Sequence, residues 1–394
     1  MKVQVPRCSL CGRRAIVSLP YARLRLCEEH FEKFMLKRVK RVDIPRNLIL
    51  GLSGGKDSVV LAYLLKRLGY NPLTVTVDTV PYYSTVEARV AKKVAEELQL
   101  EHITVHAKEL YGFTALDYRK FKRTPCGLCS KIRRHALDLI GTRLGKDYVA
   151  TGHNLDDVLQ VALSSLIFGK PEELRKAKAI EEKLKGTLGR VKPLFWIPER
   201  DILAFALSKR LTWLKERCPL YYTEEAVGDK IRLFLHELED SNPSTKLKLM
   251  NNILKISNAF NNKKVIEAKL CKYCRLRSYG EVCSICKLRL QASRTNTTPP
   301  KNPRMEVYGD GNIAVVGQGW IKWVYADTKG KRVRQVLYEL GLKRETAVMT
   351  FDGKPLPYEA TFRSNVDKGE VVIYVVTRIS PSRIYPRARQ SSSP

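Results

Sequence analysis

The most constraining feature of this 394-residue chain is the hexapeptide SGGKDS, from Ser53 to Ser58. An apolar segment, residues 47–52 (NLILGL), comes directly before it and predicts a buried strand. Residues 59–68, directly after it, have the apolar spacing of a helix. A strand, a glycine turn and a helix N-terminus bring free backbone N–H groups and the positive end of the helix dipole to one point. The segment therefore predicts a phosphate-binding loop.

The residue types within the loop suit a bound phosphate. Gly54 and Gly55 let the backbone approach the ligand closely, Lys56 adds positive charge, and Ser53 and Ser58 add hydroxyl donors. The spacing differs from the G-x-x-x-x-G-K-[ST] pattern of kinase-type loops. It resembles the pyrophosphate loop (PP-loop) of the ATP pyrophosphatase superfamily. That resemblance implies ATP binding, adenylation of a carbonyl oxygen, and replacement of that oxygen by nitrogen or sulfur.

The charge balance predicts a polyanionic partner. The chain has 71 Lys and Arg against 40 Asp and Glu, a formal charge of +31 and a pI of about 9.8. A generally basic proteome is the alternative explanation. The sequence has neither a long uninterrupted apolar segment nor an apolar signal core at its start, so we expect a cytoplasmic protein without membrane contact. In that compartment the ten cysteines indicate metal ligands or catalytic thiols rather than disulfides.

Strands and helices alternate through the first half of the chain. The predicted strands are residues 47–52, 73–78, 102–106 and 147–151, and the predicted helices are residues 29–41, 59–68, 84–98, 129–144, 155–168, 201–217 and 245–256. This alternation predicts an α/β fold with a doubly wound parallel sheet. Ligands of such sheets bind beyond the carboxyl ends of the strands, where both SGGKDS and residues 151–154 (TGHN) fall.

The composition changes after a polar, proline-rich linker, residues 293–303. A hairpin at residues 312–327, a helix at 331–340 and strands at 347–351 and 371–376 resemble the β-grasp fold of ubiquitin-like sulfur carriers. Those carriers end in Gly-Gly, whereas no glycine follows Gly369 here. We therefore expect a fused module without a carrier role. The predicted domains are a zinc finger at 1–35, a catalytic domain at 45–230, a helical segment with a second zinc finger at 231–292, the linker, the β-grasp domain at 304–380 and a basic disordered tail at 381–394.

Seven of the cysteines and one histidine form two sets with the spacing of zinc knuckles. The first set is Cys8, Cys11, Cys27 and His30, and the second is Cys271, Cys274, Cys283 and Cys286. Each set supplies the four ligands of a closed tetrahedral zinc site, so we predict two Zn²⁺ ions. Iron is the alternative for the second set.

Three cysteines remain: Cys126, Cys129 and Cys218. The first two stand at a predicted helix N-terminus, where the dipole lowers the pKa of a thiol. Three thiolates can hold a [4Fe–4S] cluster with one open iron, or can act as a nucleophile with a resolving pair that passes sulfur as persulfide and disulfide. A third zinc site lacking one ligand, or a buried thiol at Cys218, is the structural alternative.

The motifs SGGKDS, PCGLC and TGHNLDD, a later lone Cys-Pro and the paired knuckles occur in this order over residues 1–290. Together they resemble the TtcA/TtuA family of tRNA 2-thiolation enzymes, and the TtuA branch in particular. The resemblance implies an N-type ATP pyrophosphatase fold, ATP-dependent adenylation of the C2 oxygen of a uridine, and a [4Fe–4S] cluster on the three cysteines. It also implies sulfur delivery by the thiocarboxylate of a ubiquitin-like protein, with a T-loop (5-methyl)uridine as the expected target.

The same resemblance assigns roles to residues outside the cysteines. It implies nucleotide contacts at Leu52, along the whole loop, at Arg133 and at Gly152. Contacts near Val80 also follow from it, although the family's D-x-G-x is replaced here by Asp78-Thr79-Val80-Pro81. Asp57 and Asp157 are the predicted acids that hold Mg²⁺ or orient the base; a solvated helix face is the alternative for either. His135 and His153 receive no role.

The residues support one mechanism and several alternatives. Adenylation makes AMP the leaving group, and sulfide on the open iron or a persulfide on Cys126 or Cys218 then attacks C2. We expect the knuckles and residues 37–41 to contact tRNA, with a separate carrier or the β-grasp module as further partner, and a homodimer as a further expectation. The alternatives are wobble-uridine thiolation in the anticodon, tRNA-lysidine synthesis and a non-catalytic, zinc-dependent tRNA-binding protein.

Overall fold

The computed structural model describes residues 5–81, 83–215, 218, 220, 227–259, 269–294, 306–308, 312–317, 320–342, 346–350, 357, 359–365 and 371–375. The chain divides into two compact units. The first unit comprises Met1–Tyr111, Ser130–Lys215 and Thr223–Arg289, and the second comprises Gly112–Cys129, Glu216–Tyr222 and Leu290–Pro394. Within the described residues, no helix has the length and apolar character needed to cross a membrane.

The strands of residues 5–294 fall into two short hairpins and one larger sheet. They are β1 (Val17–Leu19), β2 (Leu24–Leu26), β3 (Leu48–Gly51), β4 (Leu73–Asp78), β5 (His102–His106), β6 (Tyr148–Ala150), β7 (Ile180–Glu181), β8 (Gly189–Val191), β9 (Lys269–Leu270) and β10 (Arg277–Ser278). The helices are α1 (Glu28–Val39), α2 (Lys56–Arg67), α3 (Tyr83–Glu97), α4 (Ala107–Tyr111), α5 (Pro125–Arg143), α6 (Leu155–Ile167), α7 (Glu199–Ser208), α8 (Val227–Ser241), α9 (Thr245–Asn258) and α10 (Ser284–Arg294).

The larger sheet has six strands in the order β5-β4-β3-β6-β8-β7. All neighbouring pairs are parallel except β7–β8, so the predicted doubly wound parallel sheet is confirmed, with one antiparallel edge strand. Ile49, Leu50 and Val75 are almost fully buried, as strands covered on both faces require. From β3 the chain proceeds to β4 and β5 on one side and to β6 and β8 on the other. The loops after β3 and β6 therefore meet at a topological switch point, where ligands of such sheets bind.

One predicted helix is wrong in its second half. The sequence predicts a helix over residues 201–217, but α7 ends at Ser208; residues 216 and 217 lie outside the described residues. Arg210 has a φ of +50°, in the left-handed region, which ends the helical path. The backbone N–H of Leu214 then donates a hydrogen bond of 2.8 Å to the carbonyl oxygen of Gly54. The segment after α7 is thus tied to the SGGKDS loop instead of extending the helix.

The second unit contains a five-stranded sheet with the order β11-β13-β12-β15-β14. Its strands are β11 (Glu306–Tyr308), β12 (Ile313–Gly317), β13 (Trp320–Val324), β14 (Thr346–Thr350) and β15 (Val371–Val375), and its helix is α11 (Val333–Glu339). β12 pairs with β13 antiparallel and with β15 parallel. The ubiquitin-like β-grasp assignment stays a prediction. The segment after the last strand, which is predicted to lack the Gly-Gly end of a sulfur carrier, lies outside the described residues. The basic tail and most of the linker lie outside them as well.

Candidate nucleotide and metal sites

The SGGKDS loop joins β3 to α2 and is held by its own serines. The Oγ of Ser58 accepts a hydrogen bond from the backbone N–H of Ser53 at 3.2 Å and donates one to the carbonyl oxygen of Gly55 at 2.9 Å. The Oγ of Ser53 accepts the N–H of Gly55 at 3.4 Å. Gly54 has a φ of +73°, and a Cβ there would lie 2.9 Å from the carbonyl oxygen of Glu87. Only glycine fits this position, so the loop is already shaped before any ligand enters.

Gly152, in the loop after β6, lies against the start of α2. A Cβ at Gly152 would be 2.8 Å from the backbone nitrogen of Ser58 and 3.0 Å from the carbonyl carbon of Asp57. The two backbones can therefore approach only because residue 152 has no side chain. The structure thus brings the two motifs that the sequence singled out into direct contact, at the helix N-terminus that is suited to an anion.

Lys56 lies between two carboxylates at the first turn of α2. Its Nζ is 2.8 Å from Oδ1 of Asp57 and 3.2 Å from Oε1 of Glu199, the first residue of α7. Burial lowers the pKa of Lys56, but the two carboxylates outweigh that effect and the pKa lies above its ordinary value. The Nδ2 of Asn154 donates to the same Oδ1 of Asp57 at 3.1 Å. Lys56 is therefore charged and held in place beside the loop.

Arg232 of α8 extends this charge network to the predicted acid of the TGHNLDD motif. Its guanidinium donates to Oε2 of Glu199 and to Oδ1 of Asp157, both at 2.8 Å, and to Oε1 of Gln160 at 3.0 Å. Burial raises the pKa of Asp157 to about 6, although the backbone N–H of Asn154 and the charge of Arg232 oppose the rise. A carboxyl group with this pKa exchanges a proton near neutral pH.

Asp156, the neighbouring acid, has a different and structural position. Its Oδ1 is 2.6 Å from Nζ of Lys246, which is also 2.8 Å from Oε2 of Glu239. All three residues are buried. The Oδ2 of Asp156 accepts the backbone N–H of Glu199 at 2.7 Å. This buried triad therefore fixes the N-terminus of α7, and with it the carboxylate that holds Lys56.

Three other predicted nucleotide contacts occupy more enclosed positions. Arg133 donates a hydrogen bond to the carboxylate of Glu87 on α3. Burial raises the pKa of Glu87, and the guanidinium of Arg133 opposes that rise. Leu52 and Val80 are buried, and their N–H groups donate to the carbonyl oxygen of Val75 and to Oγ of Ser84. Their roles in nucleotide binding stay predictions.

The N-terminal knuckle brings its four predicted ligands together at the β1–β2 hairpin and the start of α1. The ligand atoms of Cys8, Cys11, Cys27 and His30 all lie within 4.8 Å of one another. The sulfurs of Cys11 and Cys27 are 3.7 Å apart, and Nδ1 of His30 is 3.4 Å from the sulfur of Cys27. Zinc–sulfur bonds of about 2.3 Å in a tetrahedron separate two sulfurs by about 3.8 Å, so the donor set fits zinc.

The C-terminal knuckle includes a residue that sequence analysis left without a role. The sulfurs of Cys274 and Cys283 are 3.7 Å apart, and Nε2 of His135 is 3.6 Å from the sulfur of Cys283. The donor atoms within 4.8 Å of one another belong to His135, Cys274, Cys283 and Cys286. Cys271 lies beside this group: its sulfur accepts the backbone N–H of Cys283 at 3.3 Å and contacts the thiol of Cys274. The donors fit zinc here as well, with His135 as an addition to the predicted set.

Cys126 and Cys129 lie in the first turns of α5, where the backbone N–H of Gly127 donates to Oγ1 of Thr124. The predicted lowering of the thiol pKa is wrong for Cys126. Burial and the neighbouring thiol of Cys129 raise the pKa of Cys126 instead. Cys126, Cys129 and Cys218 are not joined in disulfides, and they belong to neither of the two donor groups found among the described residues. Their role as cluster ligands stays a prediction.

Sequence reasoning missed Glu199, Arg232 and Lys246 in addition to His135. Each lies on an element far along the chain from the loop it supports, in a segment without a recognisable motif. Glu199 could have been found from its position, because it stands at a helix start after the apolar segment 194–197 (LFWI), at the carboxyl side of the sheet. Arg232 and Lys246 carry no such signal, because a single charged residue in a helical sequence is usually solvated.

Comparisons with known proteins agree with this architecture. Residues 7–32 match the N-terminal LIM domain of the 2-thiouridine synthetase TtuA, and residues 27–218 match the PP-loop domain. The chain is 33% identical over 290 residues to a tRNA-5-methyluridine(54) 2-sulfurtransferase of Pyrococcus horikoshii, covering 71% of this chain and 93% of the relative. It is 30% identical over 294 residues to the enzyme of the same name from Thermus thermophilus, covering 71% and 90%.

Among solved structures, the U34-tRNA thiolase NcsA from Methanococcus maripaludis, determined with its [4Fe-4S] cluster, matches with a TM-score of 0.61. The identity is 28%, and the match covers 74% of this chain and 96% of NcsA. The predicted PP-loop fold and the predicted family are thus confirmed. The chain belongs to the family of PP-loop tRNA 2-sulfurtransferases that includes TtuA and NcsA.

Proposed function

We propose that this chain is an ATP-dependent 2-thiouridine synthetase that replaces the C2 oxygen of a T-loop uridine of tRNA, in its 5-methyl form, with sulfur. The observation that carries the proposal is the meeting of the SGGKDS loop, Gly152 and a charged network at the switch point of the sheet. The T-loop target is supported by two relatives named for 5-methyluridine 54, at 33% and 30% identity.

In the proposed reaction the triphosphate of ATP lies at the N-terminus of α2. The backbone N–H groups of the loop and the Nζ of Lys56 bind the β- and γ-phosphates, while Gly152 lets the loop after β6 approach the backbone of Asp57 and Ser58 beside them. When Mg²⁺ is bound, Asp57 would supply an oxygen ligand and the ion would offset the phosphate charge. The carboxylates of Asp57 and Glu199, both within 3.2 Å of its Nζ, hold the charged Lys56 beside the loop.

The uridine O2 attacks the α-phosphorus, an O–P bond forms, and the bond to the pyrophosphate breaks. Asp157 is placed to accept the N3 proton of uracil as O2 becomes nucleophilic, because its pKa of about 6 leaves it ionised at neutral pH. A sulfur nucleophile then adds to C2, and the C2–O bond breaks with AMP leaving. The original O2 of the uridine therefore departs as an oxygen atom of AMP.

We assign the sulfur-handling site to Cys126, Cys129 and Cys218. These three thiolates would hold a [4Fe–4S] cluster, which would supply a binding position for the sulfur to be transferred. The solved relative NcsA was determined with a [4Fe-4S] cluster. We further propose a ubiquitin-like protein thiocarboxylate as the sulfur source, the C-terminal five-stranded module as a docking or regulatory domain, and a homodimer as the assembly.

A tRNA-binding surface accords with the charge of +31. On α1, the guanidinium of Arg38 lies 5.3 Å from the ring centre of Tyr21 and 5.1 Å from that of Phe34. Just beyond the helix, the guanidinium of Arg41 lies 4.5 Å from the ring centre of Trp196. Cations held on aromatic faces are pre-organised for phosphate contacts. We propose that this surface and the N-terminal knuckle bind the tRNA backbone, with affinity that falls steeply as salt rises.

Anaerobic reconstitution tests the proposal. The holoprotein is incubated with ATP, sulfide and a T-loop-modified tRNA, and nuclease digests are analysed by mass spectrometry. We expect 5-methyl-2-thiouridine in the T-loop fragment, with one AMP released for each thiolated base. Loss of the product in Cys126→Ala is expected, whereas a lysidine synthetase would retain its activity in that variant. If tRNA does not stimulate AMP release, the chain is a tRNA-binding protein and the proposal is wrong.

The same digest separates the two candidate tRNA positions. NcsA, at 28% identity, is named for uridine 34, so thiolation at the wobble position is the second candidate. If the thiolated base is found only in the anticodon fragment, the T-loop assignment is wrong and the wobble uridine is the target. The proposed adenylation and sulfur transfer would be unaffected by that result. Analysis of tRNA from a strain that lacks the gene gives the independent check, since the missing thiouridine identifies the position.

A further inference from the structure

We propose that His135 is the outer-sphere hydrogen-bond donor of the C-terminal zinc knuckle and, with Tyr111, ties that knuckle to α5. The inference rests on zinc binding by the four predicted cysteines, Cys271, Cys274, Cys283 and Cys286, of which the last three belong with His135 to the donor group of the structure. It does not depend on which uridine is thiolated. The rate of zinc release tests the role of His135, so this inference can be refuted while the proposed thiolation activity stands.

The geometry places His135 between two partners. Its Nε2 is 3.6 Å from the sulfur of Cys283, and its Nδ1 is 2.8 Å from the hydroxyl oxygen of Tyr111. The rings of Tyr111 and His135 also meet edge to face, with centres 5.4 Å apart and planes at 72°. Both ring nitrogens are therefore engaged, one with a metal ligand and the other with a hydroxyl group at the end of α4.

The chemistry of the partners fixes the tautomer. A zinc-bound thiolate has no proton and can only accept a hydrogen bond, so Nε2 of His135 must carry the proton. In a neutral imidazole Nδ1 is then an acceptor, and the hydroxyl of Tyr111 donates to it. The chain Tyr111 O–H to His135 Nδ1 and His135 Nε2–H to Cys283 Sγ is continuous. Outer-sphere partners of this kind orient metal ligands and tune their charge.

Four thiolates are available to zinc without the imidazole. Cys274 contacts the thiols of Cys271, Cys283 and Cys286, so the other three sulfurs all lie beside that of Cys274. The sulfur of Cys271 also accepts the N–H of Cys283 at 3.3 Å, a contact that stabilises a thiolate. A structural zinc takes four ligands. With Cys271 as the fourth thiolate, His135 lies in the outer sphere, and its 3.6 Å contact with Cys283 is an N–H···S hydrogen bond. The competing arrangement, with the imidazole as a ligand in place of Cys271, is the one that the cobalt experiment below separates.

The link matters because α5 is held at a second point on the same face. Asp138, three residues after His135, receives hydrogen bonds of 2.9 and 2.8 Å from the guanidinium of Arg190 on β8. The helix is thus fixed to the sheet by Asp138 and to the knuckle by His135. The first turns of the same helix contain Cys126 and Cys129. Zinc at the knuckle therefore stabilises the helix on which these two thiols lie.

Zinc release to a chromophoric chelator tests the proposal on the zinc-loaded full chain. We expect His135→Leu to release one of the two zinc ions at least ~10-fold faster than the wild type, the effect typical of losing an outer-sphere partner. His135→Gln keeps an N–H donor near the position of Nε2 and should release zinc nearly as slowly as the wild type. Tyr111→Phe should give an intermediate rate. The zinc of the N-terminal knuckle is the internal control and should be unchanged.

Cobalt substitution distinguishes an outer-sphere donor from a ligand. We expect the Co²⁺ spectrum of His135→Leu to keep the four-thiolate signature of the wild type. A changed spectrum in this variant, together with retained metal in Cys271→Ser, would make His135 a ligand and overturn the proposal. Unchanged zinc release in His135→Leu would overturn it as well. If that variant does not fold, equal release rates for Tyr111→Phe and the wild type would refute the donor chain.

Discussion

Replacing Lys246 by methionine should destabilise the first unit strongly and weaken ATP binding as well. Lys246 is fully buried, and its Nζ is 2.6 Å from Asp156 and 2.8 Å from Glu239. Methionine fills a similar volume but leaves both carboxylates buried without their counter-charge. Because Asp156 also accepts the N–H of Glu199, the loss extends to the carboxylate that holds Lys56.

The size of the effect follows from the contacts. At an effective dielectric constant of about 20, each of the two ion pairs contributes roughly 6 kcal/mol of attraction. The cost of removing the ammonium group from water, several kcal/mol, offsets part of this sum. The net loss on breaking a buried pair is about 3–5 kcal/mol. For a unit of this size that corresponds to a Tm lower by about 6–20 °C.

Thermal and urea unfolding measure the loss, and equilibrium titration with an ATP analogue measures the effect on the site. Lys248→Met is the matched control, since Lys248 lies on the same helix and is exposed. A triple variant, Lys246→Met with Asp156→Asn and Glu239→Gln, should recover part of the stability because no charge is left buried. A free energy of unfolding within 1 kcal/mol (an order-of-magnitude bound for surface changes) of the wild type in Lys246→Met would refute the reasoning.

Three further predictions concern the site and the knuckles. Arg232→Gln should move the acid limb of the pH profile of kcat/KM to higher pH, because the charge of Arg232 opposes the rise in the pKa of Asp157 to about 6. Arg232→Lys should move this limb less. A limb that does not move in Arg232→Gln would contradict the pairing of Arg232 with Asp157. Gly152→Ala should weaken ATP binding at least ~10-fold (about 1.4 kcal/mol), since its Cβ would lie 2.8 Å from the nitrogen of Ser58; calorimetry checks this, with Gly145→Ala, at a surface turn, as the control for general destabilisation. Removal of zinc by a strong chelator should lower the Tm, and re-addition of Zn²⁺ should restore it. A Tm that does not depend on zinc would contradict both knuckle sites.

Much of the fold could be predicted because its signals are local. Parallel strands buried on both faces give continuous apolar segments such as 47–52, and their boundaries follow from the glycines and prolines that flank them. The SGGKDS and TGHN loops follow two such strands, so their meeting at the switch point could be expected from topology alone. The cysteine doublets fixed the first knuckle for the same reason, since ligand spacing is a local property.

The rest depends on tertiary contacts that leave no local trace. Residues 201–217 have helical periodicity, but Arg210 takes a left-handed conformation and Leu214 bonds to Gly54 of the loop. Arg232 donates a hydrogen bond to Asp157, which lies 75 residues earlier in the chain. A single arginine in an amphipathic helix gives no sign of such a partner. His135 joins the second knuckle from α5, more than a hundred residues before Cys283, so counting cysteines could not include it.

The pKa of Cys126 shows the limit of arguing from one effect. A helix N-terminus lowers the pKa of a thiol, and the sequence predicted a thiolate on that ground. In the folded chain, burial and the neighbouring Cys129 act in the opposite direction and raise the pKa. The sign depends on burial and neighbours, which only the fold supplies.

The central claim is that the SGGKDS loop and its charged network adenylate a tRNA uridine through O2. The most direct test uses tRNA in which the target uridine carries ¹⁸O at O2, incubated with ATP, sulfide and the anaerobic holoprotein. We expect the AMP produced alongside 2-thiouridine to contain the heavy oxygen. Thiolated tRNA accompanied by AMP without the label would contradict the account, because it would show that the C2 oxygen leaves by another route.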